Sequence, residues 1–268
     1  MPFERFYNLA YNPFAKTVKP ADAHPTEDMR QVHSRLDHLA RTGGIGLVTA
    51  DPGMGKTFAV RTWAARQNPN SSKVVYTCMS TVSGMEFYRQ LCLELGIAAA
   101  FKKVDMFRDL QAHLRYLAVE KGVKVTVVLD EAQYLSTQIL NDLKMLTNFD
   151  MDSRDCFSCV LVGQSVLVQY LLRRPYEALR QRLVVSYQMA GLDEAQSADY
   201  VRGSLRRAGG DPALFDDAAL ASAHGACGGS LRQLNTIVVN ALMIGSQEQA
   251  RHIDAETVLR AVEEASLR

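Results

Sequence analysis

The stretch from Gly46 to Thr57, read as Gly-Leu-Val-Thr-Ala-Asp-Pro-Gly-Met-Gly-Lys-Thr, constrains the fold of this chain more than any other. The apolar run at 45–48 reads as a buried strand; it breaks into a Gly/Pro turn and is followed by a helix over 58–66. A loop of this build turns successive backbone N–H groups inward at a helix N-terminus, where they cradle phosphate oxygens. Gly53 and Gly55 permit backbone angles and a close approach that a side chain would block. Asp51, Pro52, Gly53, Met54, Gly55, Lys56, Thr57 and Phe58 are therefore the expected phosphate-binding residues. Lys56 would neutralise phosphate charge, and the Thr57 hydroxyl would ligate magnesium. Ala50 stands six residues before Lys56, where glycine is usual; alanine is small enough for the loop to work. The competing reading is a glycine-rich turn that merely precedes Lys-Thr.

Val125-Thr-Val-Val-Leu-Asp130-Glu131 is an apolar strand that ends in two acids. Beside a phosphate loop, Asp130 is expected to hold magnesium through water, and Glu131 to orient and deprotonate the attacking water. A solvated strand end is the alternative. The joint occurrence of Lys56-Thr57 and Asp130-Glu131 weighs against it, since either pair alone is common. Val160-Leu-Val-Gly-Gln164-Ser165 ends another strand in polar side chains. Gln164, and after it Ser165, is the candidate for detecting the third phosphate and placing the water; an ordinary strand-to-turn residue is the other view. In Glu177-Ala-Leu-Arg180-Gln-Arg182, Arg182 ahead of Arg180 is the candidate arginine finger, set against a plain surface salt bridge. Such a finger reaches a neighbouring subunit's nucleotide and stabilises developing charge. Gly228-Gly229-Ser230-Leu-Arg232 opens a later helix with Ser230 as N-cap. Arg232 would point back to the γ-phosphate and couple nucleotide state to that helix.

Strands at 74–77, 125–129 and 160–162 alternate with helices over 84–95, capped by a Ser83/Glu86 box, and 105–120. That alternation predicts a parallel sheet in an α/β fold. From Gly191 onward the pattern is helical, over 193–208, 216–224, 230–245 and 254 to the end. The expected organisation is an N-terminal arm (1–41) containing Tyr11-Asn12-Pro13-Phe14, a nucleotide-binding core (42–190) and a small helical lid (191–268). The arm's aromatics either pack on the core or close over the base of a nucleotide.

With 268 residues, 47% of them hydrophobic, the chain can bury a sizeable core. A net charge of +1 argues against a polybasic protein and leaves room for a local basic patch. The most apolar run, 159–172, is interrupted by Gly163-Gln164-Ser165 and Gln169, so no membrane span is expected. The N-terminus lacks signal-peptide shape. Five cysteines, an odd number, fit a reducing cytoplasm, and Cys156 and Cys159 read as core thiols.

Phosphate loop, Asp-Glu strand end, polar strand end, late arginines and helical lid, in this order, resemble the AAA+ ATPases over nearly the full length. More narrowly the chain is similar to the ExeA-like branch and its transposition relatives, the TnsC/TniB group, with MuB and IstB more distant. The residues behind this are Asn12-Pro13-Phe14, Asp130-Glu131-Ala-Gln133, Gly163-Gln164, Leu179-Arg-Gln-Arg182 and Gly228 to Arg232. Ala50 and Gln164, where many AAA+ proteins carry Asn, depart from the pattern.

The resemblance implies an AAA+ core with ATP and magnesium bound between core and lid at the subunit interfaces of a homo-oligomer. For the transposon ATPases it further implies a ring or helical filament on double-stranded DNA that recruits or activates a DDE-type transposase, with hydrolysis resetting the assembly. ExeA-like secretion proteins continue into a membrane segment and a cell-wall-binding domain, whereas this sequence stops at Arg268, which favours the transposon side. A secretion-type ATPase working with a membrane partner is the alternative. A small-molecule P-loop kinase or nucleotide-locked scaffold is the third reading, and the helical tail argues against it. Candidate DNA contacts are Ser80 to Ser83, Arg89, Lys102 and Lys103 with Arg108, which would touch phosphates without reading sequence. Lys102-Lys103 also reads as a solvated loop. Arg202, Arg206 and Arg207 share one lid helix as a second basic patch or subunit contact.

Overall fold

The structure, a computed structural model, describes residues 2–78 and 83–266. Its elements run α1 (Phe3–Phe6), α2 (Glu27–Thr42), β1 (Gly44–Thr49), α3 (Lys56–Ala65), β2 (Ser72–Cys78), α4 (Gly84–Leu95), α5 (Lys103–Arg115), β3 (Lys124–Asp130), α6 (Thr137–Leu146), β4 (Ser158–Gly163), α7 (Val166–Leu171), α8 (Glu177–Arg180) and β5 (Leu183–Gln188). Four helices follow: α9 (Glu194–Arg207), α10 (Asp217–Cys227), α11 (Leu231–Gln247) and α12 (Ala255–Ser266). They fall into two compact units. One comprises Gln31–Asp51 and Trp63–Met189; the other comprises the described residues of Met1–Arg30, Pro52–Thr62 and Ala190–Arg268.

The first unit is built on a five-stranded, all-parallel sheet in the order β2-β3-β4-β1-β5. Strands β1 and β4 are buried along their whole length, as parallel strands covered on both faces must be. On one face Phe87, Tyr88 and Leu91 of α4, Met106, Leu110 and Leu114 of α5 and Ile139 and Leu143 of α6 share one apolar core with Val127, Leu129 and Leu161. On the other, α2 lies so close to β1 that a Cβ on Gly46 would stand 2.7 Å from Leu39 Cδ2. Ser158 Oγ in β4 donates to the Leu39 carbonyl, which fixes the same helix. Because the strands are parallel, Thr49, Cys78, Asp130 and Gly163 end along one edge, with Thr49 paired to Gly163 and Cys78 to Asp130. In open α/β sheets that carboxyl edge is where ligands bind.

The expected strands and helices of this unit are present, and the Ser83/Glu86 capping box makes both of its hydrogen bonds. Several features go beyond the sequence reading, helix α7 among them. The helix expected over 105–120 runs as α5 and then widens into a π-helical turn at Tyr116–Glu120. Helix α6 is capped by Ser136, whose hydroxyl accepts from Ile139 N. Strand β5 is an edge strand whose residues alternate between half-buried and exposed, so its apolar signal stops after Leu183–Val185. It is secured by the Arg35 guanidinium stacked 4.4 Å over the Tyr187 ring. Cys156 and Cys159 are free, buried thiols, and burial pushes Cys159 up to about 12, which keeps it protonated and unreactive.

In the second unit α9 to α12 enclose a core of Leu205, Phe215, Leu220, Val238 and Leu242. Phe3, Tyr7, Leu9 and Phe14 from the N-terminal arm are buried in the same core. Phe14 therefore takes the packing role of the two considered for it. Tyr11 is half-buried, and its hydroxyl has no hydrogen-bond partner among the described residues. Arg61 of α3 binds the arm from below, donating to the carbonyls of Lys16 and Val18 while stacking 4.8 Å over Phe58.

Candidate nucleotide-binding site

The loop between β1 and α3 has the backbone that its sequence demands. Gly53 and Gly55 adopt φ of +87° and +91°, the left-handed region that side chains disfavour. A side chain at either position would also crowd its neighbours. A Cβ on Gly53 would stand 2.5 Å from Ser230 Oγ, and one on Gly55 would stand 2.8 Å from Leu231 Cδ1. The loop is therefore in contact with the start of α11, and the Arg232 N–H donates to the Gly53 carbonyl at 3.0 Å. Ser230 caps α11 as expected, accepting from Gln233 N, and the Arg232 side chain is exposed. Met54 reaches Gly191, whose N–H donates to the Asp28 carboxylate at 2.9 Å.

The first turn of α3 carries Lys56 and Thr57 and no acid. Lys56 is only 7% exposed, a buried cation at the positive end of a helix dipole. A cation and a hydroxyl at a helix N-terminus are the residue types that polyphosphate sites use. Thr57 in one unit and Asp130 in the other each carry a hard oxygen donor, the atom type magnesium prefers. Among the described residues no group of three or more His, Cys, Asp or Glu stands together as an all-protein metal cage.

At the sheet edge, Asp130 is buried; its Oδ2 accepts from Tyr76 Oη at 2.8 Å and its Oδ1 from the Glu131 N–H at 2.8 Å. Burial and then this bond to Asp130 push the Tyr76 phenol well above its usual range, so it stays a donor. Burial, followed by the nearby Asp130 and Glu131 charges, raises the Cys78 thiol. Glu131 is half-buried and left-handed, at φ +54°, which turns its side chain out of the strand direction. Its carboxylate accepts from Gln133 Nε2 at 2.6 Å, and Gln133 Oε1 accepts from the Gln164 N–H at 3.0 Å. Ser165 Oγ donates to Asp51 Oδ1 at 2.8 Å. Glu131, Gln133 and Gln164 thus form one hydrogen-bonded set and Ser165 with Asp51 a second, the two meeting at the peptide bond between Gln164 and Ser165.

Of the remaining candidates, Arg180 ends α8, with its guanidinium donating to the carbonyls of Leu171 and Leu172. Arg182 is half-buried, and its carbonyl accepts from Ile45 N. Arg89 and Lys102 are exposed. Lys103 is engaged: its Nζ pairs with Asp142 Oδ2 and lies 5.3 Å over the Tyr88 ring. Arg108 pairs with Asp105 and Asp109, and Arg202 with Asp217. Ser80, Thr81 and Val82 lie outside the described residues.

A family described as an AAA domain matches residues 38–171, half of the chain. The chain belongs to this AAA family. Its AAA domain is a nucleotide-binding, P-loop ATPase domain. General secretion pathway protein A of Aeromonas hydrophila is 29% identical over 248 residues, covering 90% of this chain and 44% of that protein. The ATP-dependent target DNA activator B of Escherichia phage Mu is 28% identical over 137 residues, covering 51% of this chain and 41% of that protein. The chain thus spans less than half the length of either relative, and they match both branches named from the sequence. Among solved structures, Cdc6p from Pyrobaculum aerophilum has the same fold, with a TM-score of 0.73 at 17% identity over 94% of this chain and 70% of that one.

Two residues of the AAA domain's sheet edge carried no role in the sequence reading, Tyr76 and Gln133. Tyr76 reads as an ordinary strand aromatic, and only the register of β2 on β3 brings it to Asp130. Gln133 had a signal, its place in Asp130-Glu131-Ala-Gln133, but its partner at Gln164 is distant in the chain.

Proposed function

We propose that this ATPase is a nucleotide-switched, DNA-binding regulator of transposition that assembles on double-stranded DNA and recruits or activates a DDE-type transposase. The observation that carries this is the likeness of half the chain to a protein named for ATP-dependent activation of target DNA. In this reading residues 51–58 hold the triphosphate, with Lys56 neutralising it. Thr57 and Asp130 hold magnesium, which when bound offsets charge on the β- and γ-phosphates. Glu131 takes a proton from the attacking water, Gln164 and Arg232 respond to the third phosphate, and Arg182 serves a neighbouring subunit's site. Turnover is slow in the isolated chain and rises in the assembly, where the finger is supplied.

A second reading, a secretion-type ATPase acting with a membrane partner, is favoured by a different observation: the likeness to secretion protein A extends over most of the chain. No helix among the described residues is long and apolar enough to cross a membrane, so that partner would supply the span. Negative-stain microscopy with duplex DNA separates the two. Rings or filaments on DNA in an ATP analogue and not in ADP are expected for the transposition regulator. Monomers under every condition would remove that reading and leave the secretion role.

A further inference from the structure

Gln133 joins two strand ends of the sheet through a single amide. Its Nε2 donates to Glu131 Oε2 at 2.6 Å and its Oε1 accepts from the Gln164 N–H at 3.0 Å, so both ends of the group are used. The residue is 9% exposed, which limits competition from water. Two features show that the surroundings are fitted to this amide. Glu131 is held in the left-handed region, a conformation unfavourable for a non-glycine residue that persists only where neighbours enforce it. Gly163 has no positive φ to explain it, yet a Cβ there would stand 2.8 Å from Gln133 Oε1 and 2.9 Å from Leu167 Cδ2. A side chain at 163 would push the Gln133 amide or Leu167 out of place. Beyond Gln164 the connection continues to Ser165, whose hydroxyl donates to Asp51 at the mouth of the phosphate loop.

We propose that Gln133 is the positioning residue for hydrolysis. It fixes the Glu131 carboxylate by Oε2, so that Oε1 receives the proton of the attacking water, and it makes that orientation depend on the end of β4. Gln133 neither gains nor loses a proton; the water proton passes to Glu131. Through Gln164 and Ser165, the state of the loop at Asp51 bears on whether Glu131 is aimed. This rests on the reading of Glu131 as the general base.

The test is Gln133→Glu, nearly isosteric, which keeps the acceptor for the Gln164 N–H and sets a carboxylate oxygen against Glu131 in place of the donor. Nucleotide affinity, KM and single-turnover hydrolysis are measured in the parent and in a Glu131→Gln background. The expected result is a fall in kcat of roughly tenfold or more, with nucleotide affinity within about twofold. No further fall is expected on the Glu131→Gln background, because residues acting as a unit are not additive. Gly163→Ala, which crowds the amide without removing a hydrogen-bonding group, is expected to lower kcat in the same selective way, and it carries the test if Gln133→Glu does not fold. Parent-like kcat in both variants, an equal proportional fall in both backgrounds, or a loss explained by weaker nucleotide binding overturns the proposal. A Glu131→Gln protein that hydrolyses at the parent rate instead defeats the base assignment, a separate failure visible in the same experiment.

Discussion

At the scale of single residues, the sheet edge is defined by hydrogen bonds to carboxylates. Asp130 is buried, and a buried carboxylate needs donors to offset its lost hydration. Tyr76 supplies one from the neighbouring strand through a hydroxyl that its environment keeps protonated. Tyr76→Phe removes that donor from Oδ2 and leaves the ring in place. The expected result is a loss of about 1–2 kcal/mol in stability, read from the urea midpoint at unchanged slope. An unchanged midpoint would mean that the tyrosine is incidental to Asp130. The residues around this edge differ in how much of them could be read in advance. Lys56, Thr57, Asp130 and Glu131 can be put forward from the sequence because phosphate chemistry favours those residue types beside those neighbours. The Tyr76 bond depends on strand register and the Gln133 bond on a contact between distant residues, and neither leaves a periodic or local trace in the chain.

At the scale of elements, four parallel strands and most helices were legible because hydrophobic period and end-capping agree. Strand β5 was not, since an edge strand buries little and its alternation fades into polar residues. Helix α5 shows how a charged residue can serve its neighbours rather than solvent. At its first position, Lys103 joins three helices: its own, α6 through Asp142 and α4 through the Tyr88 ring. Lys103→Ala is therefore expected to cost about 1 kcal/mol of stability from these combined contacts. Exposed Lys102→Ala is expected to leave stability unchanged and to weaken duplex binding, with a shallower dependence on salt. Duplex titrations at several salt concentrations check this. Equal DNA affinity for Lys102→Ala and parent would strike that residue from the DNA surface.

At the scale of the whole molecule, the proposed arginine finger makes a prediction that no monomer can satisfy. Arg180 donates to the Leu171 and Leu172 carbonyls, and Arg182, placed ahead of it in the sequence reading, is the residue to test. Arg182→Ala and Glu131→Gln are each expected to slow hydrolysis roughly a hundredfold or more. Mixed together they should regain measurable phosphate release, because some interfaces then pair an intact finger with an intact base. A mixture as slow as its components would show that Arg182 does not act in trans. The arrangement of the chain has a consequence of another kind. The helical unit is assembled from three separated stretches, with Phe3, Tyr7, Leu9 and Phe14 completing a core that α9 to α12 begin. A gene fragment encoding only the last four helices would inherit their apolar faces without the aromatic residues that fill them. Crossing-over at one point between two diverged relatives would mate one parent's arm to the other's helices. Lineages carrying this architecture are expected to exchange it whole, and arm and tail to diverge in step.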